Sequence, residues 1–321
     1  MLRIPASRIV QNFSIASRIV SGSSRRQIYF KHIVQQISKY SMSSNQSGNG
    51  RGQIKSSIKR LPNSGTVATV TISRANKLNA LNSDLLTAIP RAFTEIAENN
   101  EDLVAVILTG EGDKSFIGGA DIAEMASVSN PIEARSFITK VHKACQSIRD
   151  CPVPVIARVN GITLGAGLEI AASCDMRVAS STAMLGMPEV RLGVPSVVEA
   201  ALLPGLIGWG RTRQLLLLGE NILAEEAEKW GLLERVVAPE KLDEAVDEWV
   251  KSLNECGPVS IRNQKLLIRR WETVGLDAAI QLGVDHFGRS FETQPSGEKA
   301  EPVRLMGEFL LKQSQRKKSK L

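Results

Sequence analysis

Strand-like and helix-like segments alternate along the chain up to about residue 199, and helical periodicity dominates after it. Residues 66–73 alternate and are rich in β-branched side chains, which predicts a strand, and residues 103–109 form the near-continuous apolar run of a strand buried on both faces. Further strands are predicted at 154–159 and 175–179, and helices at 83–97, 131–149, 164–172, 210–218, 224–230, 240–254 and 258–272. Alternation followed by helices indicates an α/β core with an α-helical C-terminal part.

The predicted helix at 83–97 carries two local signals. Ser83 has the side chain expected of a residue that caps a helix N-terminus. Pro90 lies inside the segment and has no N–H to donate, so we expect a kink or a break there. Residues 110–113 (sequence GEGD) indicate a turn after the second strand.

Basic residues are concentrated at the two ends of the chain. Residues 1–60 contain eleven Lys or Arg and no acidic residue, and residues 312–321 contain five Lys or Arg. The chain has 40 basic and 33 acidic residues in all, so the middle holds 24 basic and 33 acidic ones, a net charge of −9. A formal net charge of +7 suggests a nucleic-acid partner. Because the excess lies in the ends, we expect no such partner.

Composition argues against several other classes of protein. The 321 residues, 43% of them hydrophobic, can bury a core as one large domain or two small ones, yet no window approaches the roughly 18 apolar residues of a membrane-spanning helix. The cysteines form no C-x-x-C pair, and only His142 and His286 lie outside the leader described below. We therefore expect no metal centre, no redox cofactor and no Ser-His-Asp triad, and idle or buried thiols in a reducing compartment.

Both termini look like targeting segments. The leader, residues 1–52, is rich in Arg and Ser, lacks acids and ends in a linker-like stretch, as mitochondrial import sequences do. The opposite end, residues 312–321, is a basic tail that closes with Ser319, Lys320 and Leu321, the tripeptide that the peroxisomal import receptor reads. Since the tripeptide is the sharper signal, we predict a peroxisomal location and leave a mitochondrial fraction open.

Two glycine-containing segments, residues 116–122 (FIGGADI) and 160–169 (NGITLGAGLE), follow predicted strands. Small residues let a backbone approach a ligand and leave N–H groups free to point at it, and a helix N-terminus adds a partial positive charge. One N–H from each segment would suit a thioester oxygen that gains charge as an enolate forms. The alternative is that both segments are ordinary tight turns. Neither fits a nucleotide-binding pattern, because Ile170 stands where G-x-G-x-x-G needs a small residue.

Two glutamates near these segments are candidates for acid–base chemistry. Glu169 falls in the first turn of a predicted helix, where an acid is favourable for the helix dipole alone. Glu189 lies in the apolar stretch 184–190 (MLGMPEV), where a carboxylate is costly unless it is paired or functional. Two carboxyls beside one water can divide the work, one taking its proton and the other supplying a proton to carbon. The sequence leaves open which does which.

Five segments together resemble the enoyl-CoA hydratase/isomerase (crotonase) superfamily, and the resemblance runs from about residue 53 to 272. They are residues 76–82 (NKLNALN), 116–122, 160–169, 174–175 (CD) and 187–189 (MPE). Residues 231–237 (GLLERVV) are similar to the segment that follows the core in this family. With the departures described below, the chain resembles peroxisomal fungal members of the family, some of which serve siderophore or toxin pathways rather than fat breakdown.

The resemblance implies a fold, an assembly and site residues. The fold would be a spiral of ββα units, a core at residues 53–250 with the acyl-CoA site, followed by a helical region at 251–311 that mediates trimer or hexamer formation. The oxyanion N–H groups would belong to Ala120 and Ala166, and the two carboxyls to Glu169 and Glu189. Asp121 and Ile122 would line the acyl-CoA channel, with Lys77 near the phosphates of coenzyme A, which enters as part of the substrate.

The departures from the family concern the pocket rather than the reaction centre. Hydratases usually carry Gly where Ala166 stands, and a Lys is common where this chain has Ala123. Residues 194–204 (VPSVVEAALLP) replace the family's P-G-x-G-G-T-x-R-L stretch, which usually shapes the acyl pocket. Acyl length, branching and pathway therefore stay open.

Three functions are compatible with these observations. Retention of both glutamates favours reversible hydration of a 2-enoyl-CoA, since isomerases of the superfamily generally manage with one carboxylate. The same fold also performs double-bond isomerisation and acyl cleavage. An RNA-binding role is the alternative from another class, suggested by the basic ends and opposed by the acidic middle.

Overall fold

In the apolar segments of this chain, alternate side chains are buried on opposite faces, which is the pattern of a β-sheet. The computed structural model describes residues 50–62, 65–292 and 299–318. Strand β3 has Val106 and Leu108 in one hydrophobic cluster and Ala105 and Ile107 in the other, so its two faces pack against different layers. The prediction that this strand is buried on both faces is confirmed. The strands are β1 (Gln53–Arg60), β2 (Thr66–Ser73), β3 (Leu103–Gly110), β4 (Ser115–Ile117), β5 (Val155–Val159), β6 (Ile162–Leu164), β7 (Met176–Ser180), β8 (Met184–Gly186), β9 (Asn221–Leu223) and β10 (Arg235–Val237).

The strands form two sheets, and from β3 to β8 successive strands alternate between the two. The six-stranded sheet has the order β1-β2-β3-β5-β7-β10 and is parallel except for the antiparallel pair β1 and β2. The four-stranded sheet has the order β4-β6-β8-β9, in which β4, β6 and β8 are parallel. Each of the pairs β3–β4, β5–β6 and β7–β8 thus gives its first strand to the large sheet and its second to the small one. The predicted α/β fold built of ββα units is confirmed.

Helices cover the sheets and make up the C-terminal part. They are α1 (Ser83–Glu98), α2 (Ile122–Met125), α3 (Pro131–Arg149), α4 (Ala166–Ser173), α5 (Leu203–Leu218), α6 (Ala224–Trp230), α7 (Leu242–Asn254), α8 (Pro258–Trp271), α9 (Leu276–Arg289) and α10 (Glu301–Lys318). Helix α8 is tied to the core by the buried Lys265, whose Nζ donates to Val153 O at 2.9 Å and Asp175 Oδ2 at 2.8 Å. Asp175 Oδ2 also accepts from the Val155 N–H. This ion pair, in which only Lys265 is buried, joins helix α8 to strand β5.

Helix α1 corrects two predictions. Asn82, not Ser83, is the N-cap, because its extended backbone lets Oδ1 accept from the Leu85 N–H at 3.0 Å, while the Ser83 hydroxyl bonds to Glu124. The helix also runs through Pro90, so the predicted break is wrong. One lost hydrogen bond is outweighed by the packing of five buried apolar side chains, those of Leu85, Leu86, Ile89, Phe93 and Ile96.

The glycine-rich segment 160–169 and the region after residue 199 also differ in detail from the predictions. The helix predicted from residue 164 begins at Ala166, because Ile162–Leu164 pairs as strand β6. The short strands β9 and β10 interrupt the region predicted as helical. Helix α5 bends at Gly208, which has φ +70° and ψ 163° and lies outside the helical region of backbone space.

Some predictions concern the ends and the domain boundaries. Most of the leader (residues 1–49) and the tripeptide Ser319–Lys320–Leu321 lie outside the described residues. The predicted division between residues 250 and 251 falls inside helix α7, and the division into a core and a helical region stays a prediction. Among the residues that the structure describes, no helix is long and apolar enough to cross a membrane.

Candidate active site

Three parallel strands of the small sheet end at the same edge, and each is followed by a segment with candidate residues. Strand β4 leads into residues 118–121, β6 into 165–169 and β8 into 187–189. The carboxyl ends of parallel strands are where open α/β sheets bind ligands. The two glycine-containing segments and Glu189 are therefore neighbours in space although they are far apart in sequence.

The N–H groups predicted for an oxyanion hole, those of Ala120 and Ala166, belong to two of these segments. Leu81 N–H donates to Gly119 O and Asp121 N–H donates to Leu81 O, both at 2.8 Å, so the peptides on either side of Ala120 are held in place. Ala166 is the first residue of α4, where an N–H has no acceptor within the helix. Neither N–H donates a hydrogen bond within the described part of the chain. The pair can therefore bind a developing oxyanion.

Gly165 makes the approach of Glu189 to this loop possible. It has φ +52° and ψ −123°, a backbone conformation that favours glycine, and a methyl group on it would lie 2.7 Å from Glu189 Oε1. Its N–H donates to Gly186 O at 2.9 Å, which joins the loop to strand β8. A glycine here thus brings one candidate carboxyl up against the residue that precedes the Ala166 N–H.

Glu169 lies in the first turn of α4 and is 4% exposed. Its Oε1 accepts from the Ala200 N–H at 3.2 Å. Burial above all, then the negative charge of Glu189 and that of Glu199, raise the pKa of Glu169 to about 8 despite this hydrogen bond. A carboxyl with a raised pKa is not stabilised as a charge, so a favourable helix dipole does not explain its presence.

Glu189 is half-buried at the start of a short 3₁₀ helix, Glu189–Leu192. The Ser196 hydroxyl donates to its Oε2 at 2.9 Å. Burial raises the pKa of Glu189, although hydrogen bonds from its own backbone N–H and from the Ser196 hydroxyl act to lower it. Because the pKa of Glu169 is raised to about 8, by burial and by the charge of Glu189, the pair retains one proton near neutral pH. One carboxylic acid and one carboxylate side by side can give and take a proton in the same step.

Asp121 has a structural role that the sequence did not reveal. Its carboxylate caps α2 by accepting from the Ala123 and Glu124 N–H groups, and it pairs with Arg74 Nη1 at 2.6 Å. Burial favours the neutral acid, but Arg74 and the two N–H groups outweigh it and lower the pKa of Asp121. Arg74 also donates to Ala80 O. The pair therefore anchors the loop that carries the Ala120 N–H.

The other residues predicted to bind substrate are Ile122 and Lys77. Ile122 is 55% exposed, a high value for an apolar side chain at a site edge. Lys77 is half-buried in the 3₁₀ turn Ala75–Lys77, which comes shortly before the segment that contacts Gly119. The predicted contacts of Lys77, Asp121 and Ile122 with an acyl-CoA stay predictions.

Sequence reasoning missed the segment that contacts both glutamates. Ser196 contacts Glu189, and Ala200 contacts Glu169. Glu199, which lies between Ser196 and Ala200 in the sequence, is buried. All three fall in residues 194–204, the stretch noted only for departing from its family. An acid inside the apolar run 197–203 (VVEAALL) was a usable signal, of the same kind that identified Glu189.

The candidate metal ligands and thiols do not form a second site. In the ranges that the structure describes, no three His, Cys, Asp or Glu side chains come together as metal ligands, and the absence of a metal or redox cofactor stays a prediction. Cys145, Cys151 and Cys174 are buried and Cys256 is exposed. Burial raises the pKa of the three buried thiols, which makes them poor nucleophiles.

Comparison with known proteins agrees with this geometry. Residues 63–300 match the enoyl-CoA hydratase/isomerase family. A short-chain-enoyl-CoA hydratase of Clostridium acetobutylicum is 42% identical over 73% of this chain and 89% of its own length, and a crotonyl-CoA hydratase of Syntrophomonas wolfei is 39% identical over 72% and 89%. The crystal structure of an enoyl-CoA hydratase of Mycobacterium smegmatis has a TM-score of 0.72 at 27% identity and covers 80% of this chain and 96% of that one. The chain belongs to the enoyl-CoA hydratase/isomerase family.

Proposed function

We propose that this protein is an enoyl-CoA hydratase, which adds water reversibly to a 2-enoyl-CoA and so also dehydrates a 3-hydroxyacyl-CoA. The observation that carries the proposal is the pair of carboxyls of Glu169 and Glu189, both with raised pKa values, beside two N–H groups without acceptors in the described residues. The relatives named as short-chain-enoyl-CoA and crotonyl-CoA hydratases support it, and they favour a short acyl group.

The proposed reaction uses one proton on the pair. The carboxylate takes a proton from water as the water oxygen bonds to C3, and the carboxylic acid delivers its proton to C2. The electrons of the double bond pass toward the thioester oxygen, where the Ala120 and Ala166 N–H groups stabilise the charge of the enolate. The pair again holds one proton when the step is complete. In the proposed mechanism both carboxyls act on one face of the double bond, so the addition would be syn.

Substrate binding follows the same proposal. The acyl-CoA brings coenzyme A with it, and no further cofactor takes part. Ala120, Asp121, Ile122 and Ala166 would contact the thioester and the acyl channel, and Lys77 would lie near the phosphates, where a cation is favourable.

A panel of acyl-CoA esters tests the proposed activity. Short, long, branched and hydroxylated 2-enoyl-CoA esters are mixed with the enzyme, and the loss of absorbance of the conjugated thioester is followed. We expect hydration of crotonyl-CoA and a preference for short chains. A 3-enoyl-CoA that is turned over faster than its 2-enoyl isomer would instead identify an isomerase. No turnover of any ester, combined with salt-dependent RNA binding by the full chain, would contradict the enzymatic proposal.

The pH dependence of hydration should have an alkaline limb near pH 8. The free enzyme needs one proton on the carboxyl pair, and Glu169, with a pKa of about 8, loses it as the pH rises through that value. Above pH 8 both carboxyls are ionised and no acid remains to protonate C2. The measurement is kcat/KM for crotonyl-CoA between pH 5 and 10. A flat profile up to pH 10 would show that neither glutamate supplies the proton.

We also propose that the protein forms a homotrimer, or a hexamer of two trimers. Helix α9 exposes four large apolar side chains at helical spacing, those of Leu276, Ile280, Val284 and Phe287, which are 60–76% exposed. Such a stripe on a single chain is typical of a covered interface. Light scattering of the purified protein measures the mass directly. A monomer at micromolar concentration would exclude this assembly.

The proposed location is the peroxisome, with a fraction in mitochondria. Ser319, Lys320 and Leu321 fit the import receptor of the first, and the basic, acid-free leader fits import into the second. The pathway would be fatty-acid β-oxidation or a peroxisomal route to a siderophore or toxin. Imaging of the protein with a fluorescent N-terminal fusion, with and without the last three residues, tests the location. Unchanged distribution after the deletion would contradict it.

A further inference from the structure

Glu199 is a buried carboxyl that the reaction described above does not use. It lies in the 3₁₀ helix Val198–Leu202 and is 4% exposed. Its Oε1 is 2.8 Å from Nδ1 of His142 on α3, a side chain that is 46% exposed. Its Oε2 is buried and has no hydrogen-bond partner among the residues that the structure describes. A buried carboxylate with one oxygen unpaired is costly, so packing alone does not account for it.

The turn that contains Glu199 is joined directly to Glu169. The next residue, Ala200, donates its N–H to Glu169 Oε1 at 3.2 Å. The preceding residue, Val198, has φ +41°, a left-handed conformation that a β-branched side chain rarely adopts. The surrounding contacts must hold this strained turn in place. The bond between His142 and Glu199 is one such contact, and it reaches across from α3 to the turn.

The ionisable groups around Glu199 are few in the described structure. His142 and Cys145 face it from α3, and Glu169 faces it from α4. Helix α5, which follows the turn, has no ionisable residue before Arg211. With burial and the charge of Glu189, the charge of Glu199 contributes to raising the pKa of Glu169. The charge of Glu199 is the smallest of these three causes.

We propose that Glu199, oriented by His142, is a positioning residue of the active site, which holds the turn that brings the Ala200 N–H to Glu169 and places a negative charge near that carboxyl. The inference rests on the proposed function, since only an acid–base role makes the proton on Glu169 matter. The exposed imidazole contacts Glu199 from the surface, so a group near solvent helps to position a buried one.

The substitution Glu199→Gln tests the charge while keeping the shape of the side chain. Infrared spectroscopy follows the protonated carboxyl of Glu169 as a C=O band that is absent from Glu169→Gln. We expect its midpoint, near pH 8 in the natural protein, to fall in the variant by up to about 1 pH unit, the scale of the effect of one like charge at an effective dielectric constant of about 20. The alkaline limb of kcat/KM should move by the same amount. A structural role would change the melting temperature and leave both midpoints in place.

Variants of His142 give an independent test if Glu199→Gln does not fold. His142→Ala removes the side chain that orients Glu199, so the turn is held less tightly, the Ala200 N–H withdraws from Glu169 and the Glu169 midpoint should rise. His142→Asn keeps a donor near the position of Nδ1 and should restore it. Lys143→Gln, an exposed charge change beside His142 on the same helix, is the matched control and should leave the midpoint unchanged.

The two readouts separate the inference from the proposed function. The infrared titration needs no substrate, so it decides the role of Glu199 even if no ester is hydrated. Equal midpoints in the natural protein, Glu199→Gln and His142→Ala would overturn the inference. Absence of hydration by the natural protein, with the midpoint shift present, would overturn the hydratase proposal alone.

Discussion

Glu169→Gln is expected to lower kcat for hydration of crotonyl-CoA by about 10³-fold, within the range of about 10²–10⁴ that a positioned acid or base contributes. The amide is nearly the same shape as the carboxyl and can still accept from the Ala200 N–H, so the site keeps its geometry. It cannot give or take a proton. KM should therefore change much less than kcat, because binding of the thioester does not depend on that proton.

The same variant should unfold less readily than the natural protein at alkaline pH. The pKa of Glu169 is raised from 4.5 to about 8 in the folded chain, so the favourable contribution of its protonated form is fully present below pH 4.5 and is lost as the pH rises through 8. Glutamine avoids ionisation of a side chain that is 4% exposed. We expect a gain of about 2 kcal/mol or more in the free energy of unfolding at pH 9 and little gain at pH 5.

Urea unfolding at pH 5 and pH 9, with steady-state kinetics, measures both effects. Glu98→Gln is the control, since that carboxylate is exposed on α1 and its loss should change neither activity nor the pH dependence of stability. Glu189→Gln should also lose most activity. Its gain in stability should be smaller because Glu189 is less buried and keeps a bond to Ser196. Hydration by Glu169→Gln within tenfold of the natural rate would contradict the mechanism.

The long strands β2 and β3 could be predicted from the sequence, but the short strands that build the reaction centre could not. Strand length explains the difference. Strands β2 and β3 have eight residues each, enough for their burial pattern to appear as alternation or a long apolar run. Strands β4, β6 and β8 have three each, too few to show a period, although they bring the site together. Their positions follow from pairing with one another, which depends on the folded chain.

The glutamates could be identified by residue type, but their surroundings could not. An acid in the apolar run around Glu189 is an anomaly visible in the sequence. The hydrogen bonds that hold the two carboxyls join Glu169 to Ala200 and Glu189 to Ser196, and each depends on how a non-repetitive turn folds back on the site. No helical or strand period predicts such a turn. Its strained residue, Val198, has a conformation that the identity of its side chain argues against.

Gly165→Ala should reduce kcat/KM for hydration by about 10²-fold, the cost of a displacement of about 1 Å at a reacting group. Two effects act together at this residue. Its φ of +52° with ψ −123° is strained for any side chain, and the added methyl group would lie 2.7 Å from Glu189 Oε1. Either Glu189 moves away from Gly165, or the loop moves and takes the Ala166 N–H with it. We also expect a loss of about 1–3 kcal/mol in stability from the backbone strain.

Gly205→Ala is the matched control, because it adds the same methyl group to helix α5, where no atom lies within 4 Å of it and no positive φ opposes it. It should leave kcat/KM unchanged and raise the melting temperature slightly, since alanine restricts the unfolded chain more than glycine does. The two variants thus have opposite expected effects on stability from one chemical change. If Gly165→Ala hydrates crotonyl-CoA as fast as Gly205→Ala, the close approach of Glu189 to the oxyanion loop has no part in the reaction. If it is slow yet folds stably, the loss belongs to the geometry of the two N–H groups and the carboxyl rather than to the fold.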